Sequence, residues 1–254
     1  MLNALKNKRY IVVGANGLLG RRIVAGLLEQ GCNIVAADLK FNFLEAFIKE
    51  HSLDMTNVRL FEADLLDEIN VARLFSEQTD LDGLVNSAYP RNKNYGADFL
   101  DVSLKDFNDN ISLQLGLSFR LMQEAVRFFK KHKSSFSYVN VASVYGAIPP
   151  RFSLYEDMDM TMPVEYAAIK SALIHLNRYV TSYVSDSKFR VNSVSPGGIE
   201  DNHPRLFKQR YTQHTLGTGM LKAEDVVGTI LFLLSDLSQH VVGQNIIVDD
   251  GFSL

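Results

Sequence analysis

The chain has 254 residues, 46% of them apolar, with 26 basic and 29 acidic side chains and a net charge of −3. That length supports one sizeable hydrophobic core, and neither the charge balance nor any run of charge points to a nucleic-acid partner. The single cysteine, Cys32, excludes an intrachain disulfide and suits a reducing, cytoplasmic setting.

MLNALKNKRY is too short for a signal peptide ahead of the first strand, and no apolar run reaches the ~20 residues of a membrane span. From there, strand-length apolar runs alternate with segments of helical period. Strands are expected at 9–14, 33–38, 57–64, 83–88, 136–143, 189–195 and 244–250. Helices are expected near 18–30, 41–51, 67–77, 103–131, 163–184 and 223–235. Strands apolar on both faces and separated by helices imply a parallel sheet covered on both sides. The expected fold class is therefore α/β, a single doubly wound domain of seven parallel strands spanning 1–254.

Two segments break the alternation, 147–163, rich in Pro, Met and acidic residues, and 197–220, polar throughout. Both follow strands at their carboxyl ends, where open α/β sheets bind ligands. Long loops in compact domains are usually functional, so both are expected to wall a substrate site.

The stretch 10-YIVVGANGLLGRRIVAGLL-28 reads as strand, glycine-rich turn and helix, with Gly14, Gly17 and Gly20 three apart and Asn16, Leu18 and Leu19 between or beside them. Such a turn lets the backbone approach a pyrophosphate, while the helix N-terminus offers free N–H groups and a positive dipole end. A tight turn with no ligand is the alternative. Asp38 ends the second strand, 24 residues after Gly14, where a carboxylate can accept hydrogen bonds from an adenosine ribose. It would repel a 2′-phosphate, so NAD is favoured over NADP, with Arg21 and Lys40 near enough to soften the preference. A turn-forming role at the strand end is the bland reading of the same residue.

With this turn and the motifs that follow it, the chain resembles the short-chain dehydrogenase/reductase family, with its Rossmann-like fold, over nearly its whole length. The motifs 63-ADL-65, 86-NSA-88, 142-ASVYG-146, 166-YAAIK-170, 195-SPGGI-199 and 243-GQNIIVDDG-251 stand in the family's order. More narrowly, TMPVEYAAIKSALIHL and GQNIIVDDGFSL resemble bacterial flagellin-modification members, a group associated with sugar pathways leading to nonulosonic-acid glycans. The resemblance implies that Asp64 and Leu65 flank an adenine and that Asn86 and Ala88 line the path to the nicotinamide ribose. It places Pro196, Gly197 and Ile199 along the nicotinamide face, and makes Ser143, Tyr166 and Lys170 a catalytic set. It puts Tyr166 and Lys170 against the cofactor as well, Lys170 as a ribose ligand.

The chemistry of that set follows from its residue types. Hydride transfer at a carbinol carbon needs a proton moved on the oxygen, and a tyrosine with pKa near 10 is a poor base at neutral pH. Lys170 stands four residues after Tyr166 on one helix face, so its ammonium is expected to lower the phenol pKa. A shift of about three units would take roughly 4 kcal/mol. Ser143 would hydrogen-bond the same substrate oxygen.

The chain also departs from the family pattern. Val13 stands where Thr is frequent, and Tyr89 replaces a glycine, which could reshape the substrate entrance. A fourth catalytic position, usually Asn, matches Gln114, with Asn110 one turn earlier as the other candidate. The gap of 23 residues from Ser143 to Tyr166 is long, and the excess is the Pro/Met-rich segment.

Tyr145 is expected at the pocket mouth, where packing is an equal alternative, and Arg151 could meet a substrate phosphate or carboxylate. The six histidines show no metal-ligand spacing, so no metal is expected. In the family, helices like those near 103–131 and 163–184 build the subunit interface, implying a homodimer or homotetramer. The activity so implied is NAD(P)-dependent alcohol–ketone interconversion on a sugar-derived small molecule. Two other readings remain at this point, a sugar epimerase or dehydratase that retains NAD and a non-catalytic NAD-binding partner of a pathway enzyme.

Overall fold

The computed structural model describes residues 4–254. Seven strands form one parallel sheet: β1 (Arg9–Val13), β2 (Asn33–Asp38), β3 (Val58–Glu62), β4 (Gly83–Asn86), β5 (Phe136–Val141), β6 (Phe189–Pro196) and β7 (Asn245–Val248). Their order across the sheet is β3-β2-β1-β4-β5-β6-β7, as expected of a doubly wound fold. The chain leaves β1 toward one edge and returns at β4 to build toward the other. The order therefore reverses between β1 and β4, and the carboxyl ends of those two strands open a crevice.

Eight α-helices cover the sheet: α1 (Leu18–Glu29), α2 (Asn42–Glu50), α3 (Glu68–Ser76), α4 (Leu104–Ile111), α5 (Leu117–His132), α6 (Val164–Val184), α7 (Arg205–Thr212) and α8 (Ala223–Leu234). Alternation along β1 shows how both faces are buried. Ile11 and Val13 pack with Leu74, Leu121 and Leu173 of α3, α5 and α6. Tyr10 and Val12 point the other way, into Ile23, Leu44 and Val226 of α1, α2 and α8. Cys32 is buried in this second layer, where its thiol donates to the Leu5 carbonyl. Among the described residues, no helix is long and apolar enough to cross a membrane.

Three features differ from the sequence expectation. The long helix over 103–131 is interrupted by a π-helical turn, Ser112–Gly116, which joins α4 to α5. The segment 197–220 contains α7, concealed by its polar composition; its apolar face is only Phe207 and Tyr211, four residues apart and both buried. The segment 147–163 is irregular apart from one short 3-10 turn, Phe152–Leu154, yet it is not an excursion.

Leu154 and Tyr155 from this segment, Phe207 and Tyr211 of α7, Tyr145 and Phe252 together make a third, smaller core. The Tyr211 and Phe252 rings stack at 4.4 Å, tying α7 to the C-terminal segment. Asp250 completes the tie: its Oδ2 accepts the N–H groups of Gly217, Thr218 and Gly219 at 3.0, 2.7 and 3.1 Å. Those bonds hold the Asp250 carboxyl below its usual range. Asp249 accepts the Gly251 and Ser253 N–H groups, so both aspartates brace this turn.

Candidate active site

A cavity of about 710 Å³ opens at the carboxyl ends of the strands and runs across the β1/β4 crevice, a size suited to a small-molecule site. Its floor is the glycine turn. Gly14 has φ +78° and lies so near the backbone of β4 that a Cβ there would stand 2.7 Å from the Ala88 nitrogen. A Cβ on Gly20 would stand 1.9 Å from the Gly14 carbonyl oxygen, so only glycine lets α1 start against this turn. Gly17 caps α1 without any side-chain acceptor, leaving first-turn N–H groups facing the cavity that Gly17, Leu18, Leu19 and Gly20 line.

Asp38 lines the same end of the cavity. Its Oδ2 accepts the Asn16 N–H at 2.8 Å and its Oδ1 accepts the Leu39 N–H at 2.7 Å. The carboxylate therefore shapes the turn, and Asp38 also lines the cavity. Asp64 and Leu65 follow β3 and complete this wall. A tight turn, open helix N–H groups and an acidic strand end together fit a dinucleotide.

At the other end, α6 presents Tyr166 and Lys170 to the cavity on one face, and Ser143 arrives at the end of β5. Ser143 is buried, and its hydroxyl accepts the Tyr145 N–H at 3.2 Å. The Lys170 ammonium donates to the Val141 carbonyl at 2.8 Å and lies 5.5 Å from the centre of the Tyr166 ring. Burial lowers the Lys170 pKa to about 8. Burial also pushes the Tyr166 phenol up; the Ser143 hydroxyl opposes this and Tyr145 adds to it. The lowering of Tyr166 expected from Lys170 is thus not seen, because loss of water outweighs the stabilising groups.

Most of the residues singled out from sequence converge here. Ala88, Pro196, Gly197, Ile199, Tyr89 and Tyr145 line the cavity with the groups above. Four others do not. Asn16 turns its side chain to α2, where Oδ1 accepts the Phe43 and Leu44 N–H groups and caps that helix. Asn86 is buried behind the wall, donating to Ser118 and Asn140 and accepting the Ala88 N–H, so it holds Ala88 in place.

Gln114 lies buried within the π turn; its carbonyl accepts the Ser118 hydroxyl and its Nε2 has no hydrogen-bond partner. Asn110, the other candidate, is fully committed to Asn92, Asp106 and Glu165. Arg151 points out to the C-terminal segment, donating to the Phe252 and Leu254 carbonyls, because the segment after Ser143 folds over Phe252.

The structure adds residues that sequence reading passed over. Tyr155 and Met162, from the first irregular segment, and His203, Phe207, Tyr211 and Met220, from the second, form the outer walls. No local motif marks them, since they meet only through the third core. Arg91 also faces the cavity, three residues beyond the 86-NSA-88 motif.

The comparisons agree with this architecture. A family model described as enoyl-(acyl carrier protein) reductase matches residues 14–253. The post-translational flagellin modification protein A of Campylobacter coli is 34% identical, covering 98% of this chain and 100% of its own length. The 3-oxoacyl-[acyl-carrier-protein] reductase FabG of Thermotoga maritima is 28% identical over 97% of this chain and 98% of its own. A solved short-chain dehydrogenase from Leptospira borgpetersenii with bound NAD+ superposes with a TM-score of 0.85 at 27% identity, covering 98% of this chain and 94% of its own. The chain belongs to the short-chain dehydrogenase/reductase family. It is an oxidoreductase of the NAD(P)-dependent class that this family comprises.

Proposed function

We propose that the protein interconverts an alcohol and a ketone on a sugar-derived small molecule, using NAD in preference to NADP. The observation that carries this reading is the placing of Tyr166, Ser143 and Lys170 in one cavity with the glycine turn and Asp38. NAD, when bound, supplies or accepts the hydride. Gly14, Gly17 and Gly20 would hold its pyrophosphate against the start of α1, and Asp38 its adenosine ribose. Asp64 and Leu65 would flank the adenine, with Ala88, Pro196, Gly197 and Ile199 along the nicotinamide half.

Tyr166 is the acid/base in this reading, moving a proton at its phenol oxygen to or from the substrate oxygen. Ser143 orients that oxygen by hydrogen bonding. Lys170, tethered to Val141, supplies a positive charge on the Tyr166 side of the cavity. Gln114 is behind the cavity wall and takes a positioning role through the π turn. Tyr145 and Tyr89 would pack against the substrate, a polar ring suited to aromatic walls with hydroxyl tips.

The sugar assignment draws support from the flagellin modification protein and from the aromatic lining. Phe119 of α5 and Tyr179 and Tyr183 of α6 stand exposed, and we assign this face to contact with a second copy of the chain. The reading is tested by offering phosphorylated, carboxylated and neutral sugars with NAD and with NADP, and following reduced cofactor. Net NADH from one class of alcohol supports it. Isomerised product without net NADH would instead make the protein an epimerase with retained cofactor.

A further inference from the structure

The outer part of the cavity is lined by tyrosines, methionines and Phe207, and one guanidinium reaches it, that of Arg91. No carboxylate among the described residues forms an ion pair with Arg91. The acidic residue on this side of the cavity, Asp201, is instead bonded to the Asn202 side chain. The Lys170 ammonium donates to the Val141 carbonyl on the Tyr166 side of the cavity. Arg91 is thus a cation on a binding surface with its hydrogen-bonding fork uncommitted.

Arg91 is exposed at the cavity, and the residues on either side of it place its backbone relative to Tyr166. The Arg91 Cζ lies 5.1 Å from the centre of the Tyr89 ring, and that ring meets Tyr166 edge-on at 5.6 Å between centres. Tyr89 is held by a hydrogen bond from its hydroxyl to that of Tyr95, at 2.7 Å. Pro90 restricts the backbone between them. On the other side, the Asn92 N–H donates to the Asn110 Oδ1 at 3.0 Å, and its side chain donates to Asp106 at 2.9 Å. Asn110, with no exposed surface, donates in turn to Glu165 at 3.2 Å, the residue before Tyr166. One polar network therefore ties the backbone beside Arg91 to the start of α6. Tyr89 therefore stands between the Arg91 guanidinium and Tyr166, so a substrate reaching both would extend past the Tyr89 ring.

We propose that Arg91 binds an oxyanion of the substrate, a phosphate or carboxylate carried away from the carbon that Tyr166 serves. This rests on the alcohol–ketone reading of the site. A guanidinium suits both anions because two parallel N–H donors match two oxygens. The role Arg151 has in the sequence reading passes to Arg91, since Arg151 is bound to the C-terminal segment.

The test is calorimetric binding of hexose 6-phosphates, hexuronates and their neutral parent hexoses to the NAD-loaded protein, repeated on Arg91→Ala and Arg91→Lys. A member of one anionic class should bind at least about tenfold more tightly than its neutral parent, the return on a charge-assisted hydrogen bond. Arg91→Ala should abolish that preference and Arg91→Lys reduce it, with NAD affinity unchanged in both. Which class shows the preference separates phosphate from carboxylate. Equal binding of anion and parent, binding by none of the panel, or a preference that survives Arg91→Ala overturns the proposal. Turnover separates it from the reading beneath. If anions are preferred but no sugar yields NADH, the sugar alcohol–ketone reading fails and Arg91 stands. If neutral and charged sugars are oxidised alike, the Arg91 proposal alone fails.

Discussion

Gly146 packs directly on Lys170: a Cβ at position 146 would stand 2.7 Å from the Lys170 carbonyl carbon and 2.8 Å from its oxygen. The turn that follows Ser143 and the helix that carries Tyr166 are thereby pressed together at the lysine. In Gly146→Ala the clash is with helix backbone, which yields less readily than a side-chain tip. Overpacking of this kind costs about 1–3 kcal/mol. The expected result is a lower melting temperature and a fall in kcat of more than about tenfold, as about 1 Å of misplacement is costly in catalysis. A Gly146→Ala protein with wild-type kcat and stability would show that the two elements can part freely.

Lys170 is expected to destabilise the cofactor-free protein. Its pKa in the fold is about 8 against an ordinary value of 10.5, because burial disfavours the ammonium. Between those values the unfolded chain binds more protons, so stability rises with pH across the window. The penalty is fully present below about 8 and corresponds to about 3 kcal/mol. Denaturant unfolding of wild type and Lys170→Met from pH 7 to 10 should show the wild type gaining on the variant as pH rises. Taking the difference between the two removes the contribution of buried phenols such as Tyr211. Parallel profiles would mean that the ammonium is not desolvated.

Asp38 sets the cofactor choice in the proposed site. Asp38→Ser removes the charge that would repel a 2′-phosphate and the acceptor for a ribose hydroxyl. Loss of hydrogen bonds to a charged group is worth about 1.5–3 kcal/mol, so kcat/KM with NAD should fall by about tenfold or more. The ratio of kcat/KM for NAD over NADP should fall with it. An unchanged ratio would confine Asp38 to its turn-shaping bonds with Asn16 and Leu39.

The inner half of the site was legible in the sequence because its demands are local. The turn around Gly14 and Gly20 must be tight in any sequence that adopts it, and Tyr166 and Lys170 share a face simply by helical period. The alternation of apolar runs likewise gave the order of strands and helices. The outer half was hidden because it is assembled from distant pieces. Tyr155 and Tyr211 meet through a core that neither segment could form alone, and α7 buries only two apolar residues, Phe207 and Tyr211. Arg151 misled for a related reason, since nothing beside it in sequence reveals that it bonds to Phe252 and Leu254, about a hundred residues on. Asn16 and Asn86 sit in cofactor-type motifs, yet their side chains brace the backbone behind the cavity. The π turn at Gln114 escaped because one underwound turn leaves the helical pattern of the residues on either side in place.

The central claim is that the Tyr166 phenol carries the proton while NAD is held elsewhere in the same cavity. The most direct measurement compares kcat and NAD dissociation constants for wild type and Tyr166→Phe, which keeps the ring against Tyr89 and removes only the hydroxyl. In Tyr166→Phe, kcat is expected to fall by at least about a hundredfold, the usual scale of general acid–base catalysis, with NAD affinity within about twofold of wild type. A Tyr166→Phe enzyme that turns over at the wild-type rate would contradict it.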